Sequence, residues 1–241
     1  MRKQSKVLTL MVAIIIAISP MNIFASPNGF ITEELYANEE ESLLENIKIT
    51  LLSQEPEKVA IQCFAVDDNM IAIGTQKGST KNICIYDLEC NFIRGYKFED
   101  SGTFGVDLID NSIVIYLVRS DIAIYIDENA HIQDIKKISD CAENTSYWNN
   151  AVYANEREVG EKKYILKNDM SFLNFFASSY SQLFVIDESG EEKILYDVNS
   201  SQLLQNVLIF IGISTFVLFV ALYLFMRIRK NIKSAKAQED E

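Results

Sequence analysis

Five aspartates recur where short apolar stretches of the chain end. They are Asp67, Asp68, Asp110, Asp127 and Asp187. Several converging carboxylates would bind calcium, a hard cation that prefers oxygen ligands. Aspartate also stabilises turns through hydrogen bonds between its side chain and the nearby backbone. Because these aspartates stand at equivalent positions of a repeat, in separate hairpins, we predict that they build turns. We predict no bound metal and no cofactor.

The other residues that could do chemistry do not form a recognisable catalytic set. His131 is the only histidine, and it lies just past a turn, where we expect it to be exposed to solvent. A Ser-His-Asp or Cys-His site needs its histidine in a pocket. Acidic residues are so plentiful that no pair stands out as the two carboxylates of a glycoside hydrolase. We therefore predict a protein that is not an enzyme, with an extracytoplasmic carboxylate-dependent hydrolase or lyase as the alternative.

The sequence does not determine whether or how the four cysteines pair. They are Cys63, Cys84, Cys90 and Cys141. Cys84 and Cys90 could meet across a strand–turn–strand, which would leave Cys63 and Cys141 for each other, and four cysteines allow three connectivities. Cys84 also stands inside the apolar run Ile83–Ile85, so a buried free thiol is equally compatible with the sequence.

An apolar run from Val207 to Met226 predicts a transmembrane helix. At about 1.5 Å per residue, such a run spans the roughly 30 Å hydrocarbon core of a bilayer. Basic residues follow it immediately and indicate the cytoplasmic side. These membrane-orienting residues are Arg227, Arg229, Lys230, Lys233 and Lys236. The sequence thus predicts a single-pass cell-membrane protein with its N-terminal domain outside and residues 227–241 in the cytoplasm, as a tail too short to fold.

The N-terminus has the pattern of a secretory signal peptide. Basic residues at Arg2, Lys3 and Lys6 precede the apolar stretch Val7–Ile18, and Ala25 is a small residue suited to cleavage. We predict a signal peptide over residues 1–25. An uncleaved anchor from Val7 to Ala25 is the alternative.

The part of the chain between these two segments is strongly acidic. Of the 22 Lys and Arg residues, three precede the first apolar stretch and five follow the second, which leaves 14. Of the 34 Asp and Glu residues, three lie in the tail, which leaves 31 and a net charge near −17. Such a surface repels nucleic acid, so we predict no nucleic-acid partner.

We predict an acidic leader over residues 26–58 and an extracytoplasmic domain of β-strands over residues 59–200. We predict that the leader contains a helix around Ser42 and a strand over Lys48–Leu52. Short alternating stretches separated by Asp, Asn and Gly then indicate antiparallel hairpins. The predicted strands are Val59–Val66, Asn69–Thr75, Lys81–Tyr86, Asn91–Phe98, Thr103–Ile109, Ser112–Val118, Asp121–Ile126, His131–Ile138, Asn150–Glu158, Glu161–Asn168, Leu183–Ile186 and Glu191–Val198.

These strands repeat in units of about 40 residues. The stretch Phe64–Ile73 aligns with Val106–Ile115, and three hairpins share an apolar strand that ends in Asp, a turn and a second strand. Their sequences are IYDLECNFI, YIDENAHIQDI and VIDESGEEKIL. Four strands per repeat of this length indicate propeller blades.

The hairpins resemble those of bacterial β-propeller repeats of the NHL and WD40-like kind, over about residues 59–198. The resemblance implies an all-β domain of about three four-stranded antiparallel blades. Propellers close with four to eight blades, so three imply an incomplete propeller. We expect an open stack or a sandwich of sheets, with a ring completed by a partner chain as the alternative.

Together these patterns predict a bacterial membrane-anchored binding or interaction module outside the cytoplasm. We expect it to serve as an accessory component of an envelope complex. Its partner would be an unknown protein or a second copy of the same chain.

Overall fold

The protein is described by a computed structural model, which covers residues 29–109, 112–169, 174 and 179–239. The predicted signal peptide and Asp110 lie outside the described residues. The described chain is mostly β, as the sequence predicts, with one long apolar helix at its C-terminal end.

Short elements precede the first large sheet. They are strand β1 (Thr32–Glu34), helix α1 (Ala37–Asn46) and strand β2 (Thr50–Leu52). The leader therefore contains the helix and the strand that its sequence indicates.

The remaining strands, apart from the one that begins at Glu156, follow the predicted ones to within two residues at each end. They are β3 (Ile61–Val66), β4 (Met70–Lys77), β5 (Thr80–Asp87), β6 (Phe92–Glu99), β7 (Phe104–Ile109), β8 (Ser112–Leu117), β9 (Ile122–Ile126), β10 (Ile132–Ile138), β11 (Glu156–Val159), β12 (Lys162–Lys167), β13 (Gln182–Ile186) and β14 (Glu192–Asp197).

The strands form three antiparallel sheets. Sheet 1 has the order β2-β6-β5-β4-β3, sheet 2 has the order β1-β10-β9-β8-β7, and sheet 3 has the order β11-β12-β13-β14. Each sheet contains a four-stranded meander, and the described sheets do not close into a ring. The leader strands β2 and β1 pair with β6 and β10, the outer strands of sheets 1 and 2.

Sheet 1 lies in the middle of a stack, because its strands bury apolar side chains on both faces. Cys63 and Ala65 of β3 point towards sheet 2 and pack with Val106. Phe64, the residue between them, packs on the other face with Tyr164 and other residues of sheet 3. This is the two-residue period of a strand that is buried on both sides.

The outer face of sheet 2 is covered by a helical segment that the strand pattern does not predict. This segment consists of helix α2 (Ala142–Tyr147) and a π-helical turn (Trp148–Val152). The prediction of a strand beginning at Asn150 is therefore wrong, and that strand begins at Glu156. Tyr147 and Val152 are buried against sheet 2, and a side chain on Gly105 would collide with Val152. The apolar residues of the segment thus face sheet 2 with helical spacing.

Helix α3 (Asn199–Glu239) continues directly from sheet 3. The most apolar stretch of its part from Asn199 to Ile228 has a mean hydropathy of 2.7, and 0% of that stretch is buried by the rest of the protein. The helix is thus long and apolar enough to cross a membrane, and it includes the predicted span 207–226. The five membrane-orienting residues also belong to α3, so the tail expected to be too short to fold continues the helix to Glu239.

Candidate interaction site

Aspartates close the same hairpin turn in all three sheets. One carboxylate oxygen of Asp87 accepts hydrogen bonds from the backbone of Glu89 and Asn91, at 3.0 and 2.8 Å. Asp127 and Asp187 accept the equivalent bonds from the backbone two and four residues later. These carboxylates satisfy backbone groups of their own turns, as the sequence predicts. In the described part of the chain, no three His, Cys, Asp or Glu residues are grouped to hold a metal ion.

The fourth residue of each of these turns has a left-handed backbone. Its φ is 66° at Cys90, 67° at Ala130 and 79° at Gly190. Only glycine adopts this conformation without a steric cost. The geometry of the turn is therefore kept in all three sheets, although two of them carry a side chain where glycine fits better.

Asp67 and His131 also lie in hairpins. A carboxylate oxygen of Asp67 accepts hydrogen bonds from the backbone of Asn69 and Met70, both at 2.8 Å. The His131 side chain is 74% exposed, and its Nδ1 lies 3.1 Å from a carboxylate oxygen of Asp127. The exposure expected for His131 is thus observed, and no pocket surrounds it among those found in the described residues.

All four cysteines are free thiols, so the disulfide pairings that the sequence allows are not observed. Burial raises the pKa of Cys63 to about 12 and that of Cys84 to about 11. A thiol with such a pKa remains protonated at neutral pH and is a poor nucleophile. Cys63 and Cys84 pack on opposite faces of sheet 1, and each belongs to an apolar cluster.

A buried charged cluster joins sheets 2 and 3. Arg157 of β11 lies with one guanidinium nitrogen 3.8 Å from a carboxylate oxygen of Asp107 on β7. A second nitrogen donates a hydrogen bond to the carbonyl of Ala151 at 2.9 Å. The hydroxyl of Tyr147 donates to the other oxygen of Asp107. Sequence analysis missed this cluster, because its members are far apart along the chain.

Lys81 is a second buried charge. The residue is completely shielded from solvent, and its Nζ lies 5.7 Å from the centre of the Phe104 ring. Nζ has no hydrogen-bond partner among the described residues. Burial lowers the pKa of Lys81, and the nearby carboxylate of Asp100 partly opposes this effect. Neither buried charge lines a cavity found in the described structure, so we assign both a structural role.

The outer edge of sheet 3 differs from those of sheets 1 and 2. Strand β2 covers β6 at Gly95–Lys97, and β1 covers β10 at Lys136–Ile138. No strand of the described residues pairs with the outer edge of β14. Most residues of β14 are exposed, including Ile194 at 48%. We call this outer edge of β14 the open edge.

Polar contacts attach the first turn of α3 to sheet 3. Ser181 is fully buried, and its hydroxyl lies 3.0 Å from the side-chain oxygen of Asn199. The amide nitrogen of Gln202 donates to Ser179 at 3.3 to 3.4 Å. The strand that carries the open edge ends at Asp197, and the helix that can cross the membrane begins two residues later at Asn199.

Comparison with known proteins identifies no relative of this chain. No protein-family model, no curated protein and no solved structure matches it.

Proposed function

We propose that this protein is a membrane-anchored interaction module that acts outside the cytoplasm, as an accessory component of an envelope complex. The observation that supports the proposal is the open edge of β14, the strand that directly precedes the apolar helix. An extended segment of a partner can add to such an edge as one more strand, with backbone hydrogen bonds supplying affinity.

The other two sheets show which part of β14 would be covered. The covering strands pair with residues eight to ten positions after Asp87 in sheet 1, and nine to eleven positions after Asp127 in sheet 2. The same spacing after Asp187 corresponds to Leu195–Val198. Exposed strand edges readily pair with other chains. In the part of the chain that the structure describes, the open edge lacks the covering strand that the leader supplies in sheets 1 and 2.

The alternative, a hydrolase or lyase that uses carboxylates, has less support. Among the described residues, Asp107 is the one acidic residue that is buried. It is engaged by Tyr147 and Arg157. A glycoside hydrolase needs two carboxylates on either side of a substrate cleft.

Site-directed crosslinking in intact cells tests the proposed surface. A photoreactive amino acid replaces Asp197 in the full chain, and the control carries it at Lys97 of β6, the equivalent exposed position in sheet 1, which pairs with β2. We expect one discrete crosslinked product from position 197 and none from position 97. Equal products from both positions would contradict the proposal.

The orientation needs a separate test. We expect added protease to degrade residues 29–198 in intact cells, while a tag after Glu241 is protected until the membrane is opened. Protection of the body with digestion of the tag would show the reverse orientation.

A further inference from the structure

A polar groove lies between sheet 1 and the first turns of α3. Its volume is about 490 Å³, within the range of sites that bind small molecules. One side of the groove is formed by residues at the start of β3 and the end of β4, among them Gln62 and Gln76. The other side is formed by α3, including Gln202 and Gln205.

The chemistry of the groove suits an uncharged ligand with many hydroxyl groups. Amide side chains and serines supply both donors and acceptors. The charged residues that line it are paired: Lys77 lies 2.8 Å from Glu57, and Lys58 lies 3.4 Å from Glu55, which is outside the lining. An anionic or cationic ligand would therefore have to break a pair before it gained a charged partner.

Gln202 in particular supplies an unpartnered acceptor among the described residues that line the groove. The residue is only 8% exposed, and its amide nitrogen is used by Ser179. Its side-chain oxygen is buried without a hydrogen-bond partner among the described residues. A buried acceptor left without a donor costs about 1–3 kcal/mol, and a ligand hydroxyl that bonds to this oxygen after a small rotation of the side chain would remove the cost.

The position of the groove indicates that the ligand also has an apolar part. Ile209 lines the groove and belongs to the apolar run of α3. The groove thus extends from the polar body of the protein to the level at which the helix would enter lipid. A molecule that fills it can place a polar head among the amides and an acyl chain alongside the helix.

We propose that this groove binds the neutral, hydroxyl-rich headgroup of a glycolipid. The proposal rests on the membrane anchoring in the proposed function. Sugar hydroxyls would bond to the amides of Gln62, Gln76 and Gln205, and one hydroxyl would donate to Gln202. The same chemistry would recognise a free saccharide, so the experiment has to separate the two sources.

Native mass spectrometry of the full chain provides the test. The protein is purified in detergent with equal amounts of diglucosyl diacylglycerol and phosphatidylglycerol. We expect at least about fivefold more of the bound glycolipid. The double variant Gln62→Leu with Gln205→Leu should reduce this ratio to about one. The control Gln54→Leu with Gln133→Leu changes two exposed glutamines away from the groove and should leave the ratio unchanged.

Added maltose distinguishes the sources of the headgroup. Displacement of the glycolipid by millimolar maltose would assign the groove to saccharides in general, and retention would assign it to the lipid-borne sugar. Equal binding of both lipids by the unchanged protein, or the same ratio in the groove variant, would overturn the proposal. Membrane insertion is measured separately by carbonate extraction, so failure of the anchor is not confused with failure of the groove.

Discussion

The guanidinium of Arg157 lies 3.8 Å from the carboxylate of Asp107, and it also stacks over the ring of Phe64, 5.5 Å from its centre. Asp107 belongs to sheet 2, Phe64 to sheet 1 and Arg157 to sheet 3. One side chain therefore touches all three sheets. Because both charged groups are largely buried, their contact stabilises the way in which the sheets are stacked.

We expect that removal of either charge destabilises the body strongly. A buried charge that loses its partner costs about 3–5 kcal/mol. Asp107→Ala and Arg157→Met should each lower the free energy of unfolding by about 3 kcal/mol, and the double variant should lose clearly less than their sum. Urea unfolding of the four proteins measures this coupling, and strictly additive losses would show that the two side chains do not stabilise each other.

Replacement of Lys81 by methionine should stabilise the protein. A buried polar group without a partner costs about 1–3 kcal/mol, and methionine fills a similar volume without a charge. We expect a gain of about 1 kcal/mol at neutral pH for Lys81→Met and no gain for Lys97→Met, which changes an exposed lysine of β6.

The gain from Lys81→Met should also depend on pH. Burial lowers the pKa of Lys81 in the folded protein, whereas the unfolded chain has the usual value near 10.4. Between these two pKa values the unfolded state binds more protons, so the unchanged protein becomes more stable as the pH rises. The advantage of the variant should therefore shrink towards pH 10, and an advantage that grows with pH would contradict the burial of a charged lysine.

Two hairpin residues with a left-handed backbone can be tested by opposite exchanges of alanine and glycine. Ala130→Gly should raise the free energy of unfolding by up to about 1 kcal/mol, because glycine removes the steric cost at φ 67°. Gly190→Ala should lower it by about the same amount. Thermal unfolding measures both, and equal effects of the same sign would show that the two turns are not equivalent.

The turn aspartates should make the fold sensitive to acid. The Asn91 side chain lowers the pKa of Asp87, and the Ser189 hydroxyl lowers that of Asp187. Their folded pKa values thus lie below the unfolded value of about 3.9, so their contribution is present above about pH 4 and is lost as the pH falls through the folded pKa.

Variants of one turn can test this acid dependence. The loss of stability caused by Asp187→Ala should be smaller at pH 3 than at pH 6 in urea unfolding. Asp68→Ala serves as the control, because Asp68 is an exposed carboxylate outside the three turns. A loss that is the same at both pH values would exclude the proposed role of the carboxylate charge.

The free thiols can be checked by alkylation. Cys63 and Cys84 should resist a thiol reagent at pH 8 in the native protein, because both are buried and their pKa values are raised to about 12 and about 11. Four thiols should react after unfolding without a reductant. Fewer than four would reveal a disulfide.

The hairpins could be predicted from sequence because the information in a hairpin is local. Alternation of apolar residues and an aspartate at the end of a strand located β5 to within one residue at each end. The segment that contains α2 was missed, because Tyr147 and Val152 can be recognised as buried only when the outer face of sheet 2 is present. The pairing of β2 with β6 could not be predicted for a similar reason, since it joins residues 45 positions apart, such as Leu51 and Tyr96.

The sequence by itself determined the strands, the turns and the long apolar helix, because each depends on neighbouring residues and on the length of an apolar run. Only the tertiary structure decided the order of the stack, the pairing of Asp107 with Arg157, the state of the thiols and the edge that is left uncovered. These features depend on which distant surfaces come into contact, and burial then assigns to a lysine, a cysteine or a glutamine a role that its residue type does not reveal.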